Sequence, residues 1–199
     1  MPISHKHKLI FIHVPKNGGT AISKAEGMAF TLIGHHYPQF YMRGLPTEWD
    51  TFTKFGVVRN PWSRTVSNYE YAKMAESYWH SVKGFKRDGT HPDYNVMKDM
   101  SFTDAIHKLK ENPKVFKHHG WEAQHKYLCD TSGKVLVDKV FRLEELATNE
   151  EFKVMVPNLQ VINQSDNSHI DYKDYYDEET KGIIAEVYAK DIELFNYEF

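Results

Sequence analysis

Two segments of this chain carry residue types and spacings that suit the binding of negative charge. FIHVPKNGGTAI, residues 11–22, ends an apolar run in a loop that holds Lys16, Asn17, Gly18, Gly19 and Thr20. GVVRNPWSRTVSNY, residues 56–69, places Arg59 and Ser67 eight positions apart. Glycines leave no Cβ in the way of an approaching anion, lysine brings a mobile point charge, and arginine brings a planar fork of donors. Together the segments describe a site for a ligand with two separate anionic ends.

The elements that must position these residues are legible around them. Residues 9–14 read as a buried strand, mostly aliphatic and aromatic and closed by Pro15. A helix beginning near Thr20 would turn unpaired backbone N–H groups and a positive helix end into the loop. Residues 54–58 read as a second strand, after which Asn60 and Pro61 suit an N-cap and a first helical residue. That helix is expected to reach about residue 75. Ser67 then lies roughly two turns past the cap, on the face of Asn60 and of Ser63 or Arg64. The loop differs from the usual triphosphate loop, since Lys16 precedes the glycines and no strand-end aspartate suited to magnesium is evident.

At these residues the chain resembles the sulfotransferases that use 3′-phosphoadenosine 5′-phosphosulfate (PAPS), in particular their carbohydrate-type branch. PKNGGT looks like the family's 5′-phosphosulfate loop and RNPWSRTVSNY like its 3′-phosphate segment. FRLEEL, residues 141–146, and YAKDIELFNY near the C-terminus resemble later, less specific landmarks. The resemblance covers nearly the whole chain. It implies donor contacts from Pro15, Lys16, Asn17, Gly18, Gly19, Thr20 and Ala21 at the 5′ end and from Arg59 and Ser67 at the 3′ end. Asn163 and Ser165 would approach the donor from a further loop. Ala21 stands where the family loop frequently has Ser, which removes one hydroxyl contact. Lys16 matches the lysine that stabilises charge on the oxygen bridging sulfur and phosphorus. The product would be 3′,5′-adenosine bisphosphate (PAP).

An acceptor hydroxyl must lose a proton, and histidine titrates in the range where that is useful. His35 matches a Gly-His that supplies the base in related carbohydrate sulfotransferases, and His36 is its neighbour. In an extended segment the two would face opposite ways, so one of them serves. Of the other histidines among the twelve, His5, His7, His118, His119 and His125 lack thiol or carboxylate partners at metal-ligand spacing. Cys129 is the only cysteine. No metal is expected.

The 199 residues are expected to form one domain, 1–199, with a three-layer α/β/α arrangement around a central, mainly parallel sheet, which the resemblance implies is P-loop-NTPase-like. The resemblance names this the sulfotransferase fold. A ligand would sit at the C-terminal ends of the strands. The net charge of −2 conceals an asymmetry. Residues 1–90 hold 12 Lys and Arg against 6 Asp and Glu, and residues 91–199 hold 13 against 21. The basic half carries both anion segments, and the excess is too dilute for duplex nucleic acid. No stretch is long enough to span a bilayer, no signal-peptide core is evident, and a single cysteine suits a reducing compartment. A soluble, cytoplasmic protein is the simplest expectation.

Further on, residues 76–99 read as an irregular segment with Tyr78, Trp79, Phe85 and Tyr94. Helices are expected over 101–111, capped by Ser101, and over 121–127, 144–155 and 177–195, with a strand over 139–142. The function expected is transfer of a sulfuryl group from PAPS to an acceptor hydroxyl, with a carbohydrate as first choice. The alternatives are a nucleotide or small-molecule kinase and a non-catalytic module that binds 3′-phosphoadenosine nucleotides.

Overall fold

The computed structural model describes residues 2–31, 34–75, 91–159 and 171–199. In chain order its elements are β1 (Ile3–Ser4), β2 (Leu9–Ile12), α1 (Gly19–Ser23), α2 (Pro38–Gly44), α3 (Pro46–Thr51), β3 (Thr53–Val58), α4 (Pro61–Lys73), α5 (Tyr94–Met97), α6 (Phe102–Glu111), α7 (His125–Leu128), β4 (Lys139–Arg142), α8 (Glu150–Met155), α9 (Glu178–Val187) and α10 (Ala189–Phe195). The chain is α/β, and it divides into two compact units. One is Met1–Asn60 with Glu122–Gln164, the other Pro61–Trp121 with Ser165–Phe199.

The first unit holds a sheet in the order β1-β2-β3-β4. β1 pairs antiparallel with β2, whereas β2 with β3 and β3 with β4 run parallel. The register places Phe11 beside Phe55 and Val57 beside Phe141. A parallel sheet is covered on both faces, so its strands read as unbroken apolar runs. Every residue of β2 is buried accordingly. Phe11 and Phe55 stack at 5.0 Å, and Phe141 meets Phe152 of α8 edge to face at 5.2 Å. Each of these rings contributes about 1.5–3 kcal/mol by leaving water. Gly56 is the thin point of β3, because a Cβ there would overlap the Leu128 side chain. Three parallel strands bring three loops to one edge: the segment after β2, Arg59 after β3, and Leu143 with Glu144 after β4.

In the second unit, α6 packs on α9, and Trp62 of α4 donates through its indole N–H to the Lys181 carbonyl at 3.0 Å. Ser101 caps α6 as expected, accepting from the Asp104 N–H at 3.1 Å. A buried carboxylate organises the turn before α7. Asp93 accepts from the backbone N–H groups of Lys117 at 2.6 Å and His118 at 3.0 Å, and from the Trp121 indole at 3.3 Å. Asp93→Ala removes the acceptor for three donors, so a loss of roughly 3 kcal/mol is expected in urea unfolding. A loss below about 1 kcal/mol would show that the turn holds without it.

Several expected boundaries shift. The 121–127 helix is a 3₁₀ turn at His119–Trp121 followed by the four-residue α7. The 144–155 helix is a 3₁₀ turn at Leu143–Glu145 and then α8, because Asn149 takes the cap and accepts from the Phe152 N–H at 2.9 Å. The 177–195 helix breaks at Tyr188 into α9 and α10. Tyr78, Trp79 and Phe85 lie outside the described residues.

Candidate active site

β2 delivers the PKNGGT loop. Lys16 and Gly18 both adopt left-handed backbone, φ 68° and 74°. That conformation is easy for glycine but costs lysine of order 1–3 kcal/mol, strain that persists where a surrounding site holds it. Pro15, Asn17, Gly19 and Ala21 are buried, Lys16 and Thr20 are half-buried, and Gly18 is exposed. Gly19 has no substitute, since a Cβ would overlap the His13 imidazole. α1 begins at Gly19, and at five residues it is little more than one turn. Its end therefore supplies less field than the sequence suggested. An anion placed there would depend on the loop's peptide N–H groups and the cationic side chains.

β3 delivers Arg59. Its guanidinium Nη1 donates to the Lys16 carbonyl at 3.4 Å, a long bond that sets the arginine beside the loop. The Asn17 side chain turns inward. Its amide nitrogen donates to the Val57 carbonyl and to Gln124 Oε1, both at 2.7 Å, so an anion contact from Asn17 is left to its backbone. Gln124 in turn accepts from the Arg59 N–H at 2.9 Å and donates to the Arg59 carbonyl at 2.8 Å. β4 delivers FRLEEL, whose role is more specific than a landmark. Glu144 accepts from the Asn60 N–H at 2.8 Å, and Leu143 lies against Gly18, where an added Cβ would come within 2.9 Å of it.

His35 is half-buried, and its Nδ1–H donates to the His13 carbonyl at 2.8 Å. With the proton on Nδ1, the neutral ring carries its lone pair on Nε2, the form a base requires. The His13 and His35 rings lie 4.1 Å apart, and His13 also stacks on Phe11 at 5.4 Å. His36 stacks on Phe40 at 4.5 Å, and burial lowers its pKa from the ordinary histidine value. Tyr37 donates to Glu122 at 2.6 Å. Burial first, and that bond second, push its phenol up to about 12, so it remains a donor at neutral pH.

Ser67 lies half-buried on α4 in the second unit. Asn163 and Ser165 fall outside the described residues. Sequence reasoning missed His13, Gln124 and Glu144. His13 sat inside the quoted motif and Glu144 inside FRLEEL, but Gln124 carried no local signal. Among the described residues no group of three or more His, Cys, Asp or Glu side chains is arranged to hold a metal ion. No described helix is long and apolar enough to cross a membrane.

The site thus joins a glycine loop with a strained lysine, a strand-end arginine and a histidine of defined tautomer. No curated protein and no solved structure gives a significant match to this chain. A family model described as the sulfotransferase family matches residues 1–198. That span takes in the loop, Arg59 and FRLEEL alike, and the chain belongs to the sulfotransferase family.

Proposed function

We propose that this sulfotransferase takes its sulfuryl group from PAPS and passes it to a carbohydrate hydroxyl. The observation that carries the reading is the meeting of Arg59 with the Lys16 carbonyl, which puts a second cationic group beside a loop already suited to an anion. PAPS carries a sulfated 5′-phosphate and a separate 3′-phosphate, so it needs two such groups. The residues fit it: Gly18 and Gly19 keep the loop open, Arg59 has the fork geometry that phosphate prefers, and the loop has no need of a metal. Pro15 to Ala21 are the proposed 5′ contacts and Arg59 the proposed 3′ contact. Ser67, Asn163 and Ser165 are proposed from the motif resemblance alone.

When bound, the donor supplies the sulfuryl group, whose bond to the phosphate oxygen breaks as a bond to the acceptor oxygen forms. Lys16 offsets the negative charge that gathers on the phosphate side. His35 Nε2 takes the proton from the acceptor hydroxyl, with the His13 carbonyl fixing the tautomer. His36 is the second candidate. The carbohydrate acceptor is supported by the branch resembled and by Tyr37 and Phe40. Phe40, 46% exposed, stacks on His36, and Tyr37, 42% exposed, stacks on Tyr127; exposed rings of this kind offer flat apolar faces to a sugar ring.

The test is a thermal-shift comparison of PAP, 5′-AMP and ATP. At 100 times its dissociation constant a ligand stabilises by about 2.7 kcal/mol. PAP is expected to exceed 5′-AMP, and Arg59→Ala to erase the difference. Equal responses to all three ligands would remove the 3′-phosphate site. A response confined to ATP with magnesium would favour a kinase, and PAP binding without turnover on any hydroxyl acceptor would favour a binding module.

A further inference from the structure

We infer that Gln124 is a positioning residue for donor binding, holding Arg59 in register with the PKNGGT loop. The inference rests on the donor reading above. Gln124 is fully buried, and its amide group makes three bonds of 2.7–2.9 Å. Its oxygen accepts from both the Arg59 N–H and the Asn17 side chain, and its nitrogen donates to the Arg59 carbonyl. The backbone of Arg59 is therefore gripped on its N–H and its C=O by one side chain. The same oxygen grips the loop.

The Arg59 guanidinium returns to the Lys16 carbonyl, which closes a ring of four residues: Arg59, Gln124, Asn17 and Lys16. Asn17 anchors that ring to β3 through the Val57 carbonyl. Only a primary amide supplies both the two-fold acceptor and the donor that this place uses; a carboxylate lacks the donor and a hydroxyl is too short. The spacing between a 5′ and a 3′ anion on one nucleotide is fixed by the ligand. A protein that reads both must fix the spacing between its own groups to match, and a shift of about 1 Å at such a site is costly. The ring is the device that fixes it here.

The experiment is calorimetric titration of PAP and 5′-AMP into wild type and Gln124→Met, a variant of similar length without the amide. The readout is the ratio of the two dissociation constants, which isolates the 3′-phosphate contribution and is independent of how much protein is folded. Wild type is expected to prefer PAP, and the ratio in Gln124→Met to fall about tenfold, the scale of one well-made charged hydrogen bond. An unchanged ratio in a variant that still binds both ligands would reduce Gln124 to a packing role and overturn the inference. If wild type itself fails to prefer PAP, the donor reading falls, and this inference falls with it. Should Gln124→Met not fold, Asn17→Ala opens the ring from the loop side while keeping the Gln124 grip on Arg59. Its ratio is expected to drop about threefold, and an unchanged ratio there also overturns the inference.

Discussion

Lys16→Met is expected to lower kcat by about 10²–10³-fold, the range found when one preorganised donor to developing charge is removed. Methionine keeps the length of the stem and leaves the left-handed backbone at this position no more strained than before. The charge alone is lost. Since the lysine is proposed to act on charge that appears as the donor bond breaks, KM for the donor should change much less than kcat. Single-turnover measurement at saturating donor separates the two. A variant within about tenfold of wild-type kcat would take Lys16 out of the chemistry and leave the strain at φ 68° without a functional reason.

His35→Ala is expected to lower turnover by about 10²–10⁴-fold, the usual contribution of a positioned base. The dissociation constant for PAP should stay near the wild-type value, because the bond described for His35 runs to the His13 carbonyl and the proposed 5′ contacts lie on the loop. Wild-type turnover in this variant would end the assignment and pass the role to His36. The pH profile distinguishes that outcome independently. A base works when neutral, so turnover rises with pH through its pKa. Burial lowers His36, and a His36 base would place the acid limb of kcat below the ordinary histidine value of about 6.5. His36→Ala then removes that limb.

What could be read in advance was whatever is written locally. The strand over 139–142 and the Ser101 cap coincide with the structure, and β3 and α4 fall within a residue or two. Each depends on side chains a few positions apart. The mainly parallel sheet followed from the alternation of apolar strands with helices. The long C-terminal helix was misread for a definite reason. The hydrogen bonds from Tyr188 to Ile184 and from Ile192 to Tyr188 preserve the helical repeat across the break, so the apolar stripe continues although Tyr188 has φ −112° and ψ 25°. The 144–155 helix failed because Asn149 is a better cap than a helix interior residue.

The site divides the same way. Lys16, the glycines and Arg59 announced themselves by type and spacing. Gln124 could not, because its partners are 65 and 107 positions distant and an isolated glutamine in a polar segment carries no sign of its pairing. His13 was visible as a residue of β2's extension but not as the support of Gly19 and the acceptor for His35. Such roles are set by which strand ends share an edge, which no local pattern encodes.

Leu143 and Glu144 are neighbours in sequence, yet one reaches the glycine turn and the other the residue ahead of α4. A single inserted amino acid between them would pull these two anchorages out of phase. Anyone grafting new loops or reporter peptides onto this scaffold should leave the four residues after Val140 untouched.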